Sequence, residues 1–316
     1  MIEVIDLKVH YGSTVALDQL SFSVKSGSIY GLVGPNGAGK TSAIKTLATL
    51  IEPTFGEVTI NKISALHQPE KVRGFLGYMP DFPPVYEDLK VWEFCDYFAH
   101  AYGLRGEEKR SRVLQCLHAT SLNEHKHQFC KTLSRGMKQR ALLAKTLVHD
   151  PSVLLLDEPA ANLDPKSRIE LRNILKKLAD SGKTILISSH VLSEIEDTCD
   201  SIGFMQSGKM VRSGTLEEVL RNNPGTSIVS IHLSSPTPKL PDVISQIPAL
   251  SGLKLIDKDG LRFEVTLQGN QIEASKVLSK LVSSGIPVSE FSCQKQKIED
   301  LFLQLESQPL NEQNLG

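Results

Sequence analysis

The stretch "SIYGLVGPNGAGKTSAIKTLATLI", Ser28 to Ile51, changes texture twice. "SIYGLVG" (28–34) is a compact apolar run ending in glycine and reads as a buried strand. "GPNGAGKT" (34–41) has glycines at 34, 37 and 39, where the backbone can bend tightly and a ligand can approach it. "TSAIKTLATLI" (41–51) sets Ile44, Leu47, Ala48 and Ile51 on one helical face. Strand, glycine loop and helix in that order gather backbone N–H groups at a helix N-terminus, a place suited to an anion.

Short apolar strands recur at "FLGYM" (75–79), "SVLLLD" (152–157) and "TILISS" (184–189), with helical patterns between them. Buried strands alternating with helices predict an α/β fold with a mainly parallel sheet covered on both faces. Before them, "IEVIDLKV" and "QLSFSV" alternate like paired strands around the turn "HYGST". Between about 85 and 150 the strand signal gives way to "VWEFCDYFAHAYGL", "EEKRSRVLQCLHATSL" and "SRGMKQRALLAKTLVHD", which predict an inserted helical subdomain. After the helix-like "LEEVLRNN" and the break at Asn223-Pro224-Gly225, residues 227–305 read β-α-β-β-α-β and end in the amphipathic "KIEDLFLQL". That order predicts a small C-terminal α+β domain of ferredoxin-like type. The domains are therefore expected at 1–222 and 227–305, with a disordered polar tail at 306–316.

"GPNGAGKT" matches the P-loop pattern G-x-x-x-x-G-K-[ST]. Gly34, Pro35, Asn36, Gly37, Ala38, Gly39 and Ser42 frame a phosphate cradle, in which Lys40 is expected to reach the β and γ phosphates of a nucleotide and the Thr41 hydroxyl to serve Mg²⁺. A P-loop nucleotide brings a metal that needs hard oxygen ligands, and "LLDEPAANLD" (155–164) supplies them at the end of the third strand. Asp157 is the candidate metal contact, and Glu158 is placed to orient or deprotonate an attacking water.

Composition narrows the partners. Lys plus Arg number 35 and Asp plus Glu 36 in 316 residues, so no global basic field gathers nucleic acid, and no nucleic-acid partner is expected. The five cysteines are widely spaced without a Cys-x-x-Cys pair and read as reduced thiols. The N-terminus carries two acids inside "MIEVIDLKVH", and no apolar stretch reaches the roughly 18 residues of a membrane span, so a membrane role calls for a second chain.

These residues resemble the nucleotide-binding subunit of an ATP-binding cassette (ABC) transporter over roughly residues 1–215. "LSRGMKQR" (133–140) is the most specific part: it is similar to the family signature Leu-Ser-Gly-Gly-Gln, keeping Ser134 and Gly136 while Arg135 and Met137 replace the usual Gly and Gln. Ser134 is also a good N-cap, and Met137, Ala141, Ala144 and Val148 share one apolar face. The resemblance implies a head-to-tail pair of cassettes, expected as a homodimer, in which Ser134 and Gly136 face the ATP of the second subunit. It further implies that Tyr11 stacks on adenine, that Asp164 in "AANLD" contacts the second subunit, and that His190 senses the γ-phosphate. Where the family has glutamine in Y-x-P-Q, this chain has Asp81 in "GYMPDFPPVYEDL", expected to keep a metal contact with altered turnover.

A single cassette with a C-terminal domain and the ending "VSEFSCQKQKIEDLFLQL" looks like the ABC-2 type, drug-resistance-like exporters. That resemblance implies ATP hydrolysis coupled to a polytopic membrane permease subunit, with the protein peripheral on the cytoplasmic face of a bacterial inner membrane. Phe82, Tyr86, Trp92, Phe94, Tyr97 and Phe98 are then a candidate docking groove for the permease, with ordinary helix core as the rival reading for half of those rings. The alternative function is a soluble ABC-family ATPase acting on ribosomes or nucleic acid.

Overall fold

A computed structural model describes residues 1–81, 84–221, 226–257, 259–269 and 271–295. Phe82, the Asn223-Pro224-Gly225 break, "KIEDLFLQL" and the tail at 306–316 lie outside the described residues. The chain forms two compact units, Met1–Leu216 and a second from Glu217 onward.

The first unit opens with the hairpin β1 (Ile2–Tyr11) and β2 (Thr14–Val24), closed at Gly12 and Ser13. Strand β3 (Ile29–Val33) is buried at every position, and the P-loop leads from it into α1 (Lys40–Leu47). Helix α1 stops four residues short of the expected Ile51, because Thr49 turns into the left-handed region at φ 61°. Strands β4 (Phe55–Ile60) and β5 (Ile63–Ser64) join the hairpin in an antiparallel sheet ordered β2-β1-β4-β5. Neither strand is among those expected from the sequence.

Short α2 (Pro69–Gly74) leads to β6 (Leu76–Met79). The helical insertion then consists of α3 (Val91–Ala101), α4 (Gly106–Ala119) and α5 (Arg135–Leu147). Next come β7 (Val153–Leu156), α6 (Pro165–Asp180), β8 (Thr184–Ser189), α7 (Leu192–Thr198) and the hairpin β9 (Ser201–Gln206)–β10 (Lys209–Thr215). That hairpin is not among the expected elements either, although its turn, Ser207 at φ 48° and Gly208 at φ 80°, has the two left-handed residues a tight hairpin demands.

These strands make a six-stranded sheet ordered β10-β9-β3-β8-β7-β6, parallel except for the β9–β10 edge pair. Strands β7 and β8 are, like β3, buried on both faces, as a parallel sheet covered by helices requires. Ala43, Ile44 and Leu47 of α1 share one core with residues of both sheets. The C-terminal ends of β3, β8 and β7 lie side by side, which is where an open α/β sheet places its ligands.

In the second unit, beyond α8 (Leu216–Arg221), the elements are β11 (Thr226–Leu233), α9 (Leu240–Ser245), β12 (Leu250–Leu255), β13 (Arg262–Gln268), α10 (Gln271–Ser283) and β14 (Val288–Lys295). They build an antiparallel sheet ordered β12-β13-β11-β14, in the β-α-β-β-α-β sequence of a ferredoxin-like domain. Val229, Ile231 and Leu233 point into its core with Val265 and Leu267 across the ladder, while Ser230 and His232 alternate to the other face.

Candidate active site

Strand register decides which acids meet. Leu156 of β7 pairs with Ile187 of β8, so Asp157 falls level with Ser188. The Ser188 hydroxyl donates to Asp157 Oδ1 at 2.6 Å and accepts from the Glu158 N–H at 2.9 Å. Asp157 Oδ1 also accepts from the Thr41 hydroxyl at 3.3 Å, which joins the P-loop helix to β7. Asp157 is buried, and those two hydroxyls keep its carboxylate hydrogen-bonded in the interior. Ser188 was not foreseen as a site residue.

Glu158 takes φ 48°, a left-handed conformation that costs a non-glycine residue about 1–2 kcal/mol. That turn aims its carboxylate back at the P-loop. Glu158 Oε1 lies 3.8 Å from Lys40 Nζ, and Oε2 lies 2.9 Å from His190 Nδ1. A carboxylate only accepts, so His190 Nδ1 carries the proton of that bond, and among the described residues no hydrogen bond reaches Nε2. Lys40 is buried and also donates to the carbonyls of Gly34 at 2.7 Å and Pro35 at 3.1 Å. Burial draws its ammonium below the usual lysine range, against the raising effect of Glu158 and Asp157.

The loop glycines do different work. A Cβ at Gly34 would lie 2.3 Å from the Met205 carbonyl, and one at Gly39 would lie 2.5 Å from the Ala16 carbonyl. Gly37, at φ 82°, faces open space, so there conformation alone calls for glycine. The β9–β10 turn holds the loop from behind: the Gly208 N–H donates to the Ala38 carbonyl at 3.0 Å.

Asp81, just past β6, lines a cavity of about 210 Å³ together with Arg135, Lys138 and Glu158. Among the described residues its Oδ1 is buried without a hydrogen-bond partner. Burial first, then the charges of Asp157 and Glu158, push the Asp81 carboxyl above the usual carboxylate range, and His190 and Arg135 oppose them. Nearby, burial followed by Asp157 and Asp81 pushes the Tyr78 phenol up to about 12, and its hydroxyl too is orphaned.

The remaining predicted residues stand apart from this cluster. Ser134 caps α5, accepting from the Met137 N–H at 3.2 Å. Asp164 caps α6: Oδ1 accepts from the Ser167 N–H at 3.0 Å and Oδ2 from the Ser167 hydroxyl at 2.6 Å, which holds its carboxyl below the usual range. Among the described residues no hydrogen bond or ion pair links Ser134, Gly136 or Asp164 to the P-loop. Tyr11 ends β1 and is 49% exposed, and among the described residues its ring makes no aromatic contact. Of the aromatic cluster, Phe94 is fully buried, while Tyr86 and Tyr97 are exposed and pack edge to face at 5.7 Å.

A family model described as "ABC transporter" matches residues 17–161. The uncharacterised ABC transporter ATP-binding protein YcbN of Bacillus subtilis is 30% identical over 299 residues, 94% of this chain and 94% of the relative. The linearmycin resistance ATP-binding protein LnrL of the same organism is 27% identical over 312 residues, 99% of this chain and all of the relative. The match to an uncharacterised Synechocystis relative, 37% identical, spans 60% of that protein's length. A solved dimeric cassette in a post-hydrolysis state bound to ADP and Pi is 26% identical with a TM-score of 0.62, covering 68% of this chain and 99% of that one. Residue identity along nearly the whole length of YcbN and the cassette fold agree: the chain belongs to the family of ABC transporter ATP-binding proteins.

Proposed function

We propose that the chain binds and hydrolyses ATP with Mg²⁺ as the motor subunit of an ABC-2 type exporter whose transport path lies in a separate membrane protein. One observation supports it most: Lys40, Thr41, Asp157, Glu158 and His190 converge at the ends of β3, β7 and β8, joined by hydrogen bonds and ion pairs. The full-length likeness to a linearmycin resistance ATP-binding protein supports the exporter class.

The donor set fits the nucleotide and metal. Thr41 and Asp157 offer hard oxygens, and the orphaned Asp81 Oδ1 is a third. Bound Mg²⁺·ATP supplies the electrophilic γ-phosphoryl group and the charge that offsets the leaving group. Lys40 exchanges its Gly34 and Pro35 carbonyls for phosphate oxygens. Glu158 accepts the proton of, or orients, the attacking water. His190 holds Glu158 through Nδ1, and contact of its Nε2 with a phosphate oxygen requires a proton there as well. Ser134 and Gly136 face the nucleotide of a second cassette, with Asp164 at the same junction, and Tyr11 stacks on adenine. Tyr86 and Tyr97 receive the membrane subunit.

The test is recovery of tagged Glu158→Gln protein, trapped with ATP and Mg²⁺, from detergent-solubilised host membranes. A polytopic membrane protein copurifying in ATP-dependent fashion is the expected result. Ribosomal proteins or nucleic acid instead would move the chain to the soluble class.

A further inference from the structure

Gly136 stands in the first turn of α5, where glycine weakens a helix relative to alanine. Its φ lies outside the left-handed region, so the backbone there accepts any residue. Space does not. A Cβ at Gly136 would lie 2.2 Å from Ser167 Oγ and 2.6 Å from Ser167 Cβ. Ser167 has no freedom to yield, because its N–H and its hydroxyl are both committed to the Asp164 carboxylate, at 3.0 Å and 2.6 Å. One turn further along the two helices, Arg140 Nη2 meets Glu170 Oε2 at 3.4 Å. Helices α5 and α6 therefore touch along a seam with a steric rung at 136/167 and an ionic rung at 140/170.

We propose that Ser167 is a positioning residue that ties the N-terminus of α5 to that of α6, and that residue 136 is glycine because of Ser167 in its own chain. The Ser167 side chain fills the space a Cβ would need, while its hydroxyl fixes the carboxylate that caps α6. Ser134 and Asp164, the caps of the two helices, are thereby held in one frame. The functional consequence rests on the reading that both caps face a second cassette: a shift of α5 would carry the Asp164 loop with it. The contact itself lies wholly within one chain.

A size exchange tests the contact, and a hydroxyl deletion tests the positioning. Gly136→Ala is measured with Ser167 present and with Ser167→Gly, by thermal melting of the nucleotide-free full chain. With Ser167 present, the added methyl lowers the melting temperature of the first unit by about 3–8 °C. In the Ser167→Gly background at least half of that loss disappears. An equal loss in both backgrounds overturns the contact and leaves Gly136 to be explained by its approach to nucleotide. Ser167→Ala keeps the backbone bond to Asp164 and removes the hydroxyl bond. In a Glu158→Gln background it weakens ATP-driven dimerisation about tenfold while ATP affinity of the dilute, monomeric chain holds within twofold. Unchanged dimerisation overturns the positioning role even if the melting data uphold the contact. A parent Glu158→Gln chain that binds ATP without dimerising counts against the two-cassette reading, and the melting exchange still judges the seam.

Discussion

The two units handle polarity in opposite ways. In the first, Lys40, Asp157, Ser188 and Ser189 are buried at the ends of the parallel strands. In the second, Ser227 is the one buried polar side chain among the described residues, and the buried core residues are all aliphatic, with Phe263 and Phe291 half-buried against them. Burying a charged group is unfavourable unless partners replace water. A chain that gathers such groups in one place, and adds a left-handed Glu158, gives up stability there for chemistry. The described residues of the second unit make no such concession and read as a packing module.

That contrast is broken most directly at its two centres. Glu158→Gln should lower the ATP hydrolysis rate by about 10²–10⁴-fold with nucleotide binding retained, measured by phosphate release and by equilibrium binding. A loss under threefold would remove Glu158 from the chemistry. Leu267→Ala, in the buried face of β13, should destabilise the second unit by about 2–5 kcal/mol. Calorimetry should show one transition falling while the hydrolysis rate per folded chain stays within twofold. A parallel collapse of hydrolysis would show that the second unit is more than a packing module.

Legibility in the sequence followed the range of the interactions. The P-loop is local: its glycines, strand and helix lie within 24 consecutive residues, and position and chemistry were both readable. Asp157 and Glu158 were readable because an acid at the end of an apolar run is conspicuous. Ser188 was not, because "TILISS" gives no sign that one of its serines bonds the acid of another strand; only the register Leu156↔Ile187 brings them together. Strand β4 was passed over for a similar reason. It pairs with β1 about fifty residues earlier, from Lys8↔Phe55 to Ile2↔Ile60, and Gly56, at φ 98° and packed on the Asp6 carbonyl, interrupts its alternation. Ser167 belongs to no motif in the sequence, and its neighbour Gly136 reads there as part of a ligand motif. No single-chain pattern reports that the two touch.

A finer test of the polar cluster is Asp81→Gln. The substitution removes a negative charge beside Asp157 and Glu158 and weakens a candidate metal donor. The Mg²⁺ concentration for half-maximal hydrolysis should rise about three- to tenfold, a change of roughly 1 kcal/mol. Unchanged Mg²⁺ dependence and rate would mean that Asp81 takes no part.

The smallest expected effect concerns how the first unit joins its helical insertion to its sheet. Asp150, between α5 and β7, takes φ 55° and accepts from Lys183 Nζ at 2.8 Å and from Arg112 Nη2 at 2.7 Å. Lys183 precedes β8 and Arg112 lies on α4, so one carboxylate links core and insertion. The Lys183 bond, with Arg112 aiding, holds the Asp150 carboxyl below the usual range. A depressed folded pKa means a contribution that is complete above the unfolded value near 3.9 and fades as pH falls through the folded one. Asn tolerates the left-handed backbone, so Asp150→Asn isolates the charge. At pH 7 it should cost about 0.5–1 kcal/mol, because the carboxylate is mostly exposed and screened. The difference from wild type should shrink toward zero as melts are taken down toward pH 3. A pH-independent difference would assign the cost to geometry instead of charge, and the polarity of the first unit would then be confined to its strand ends.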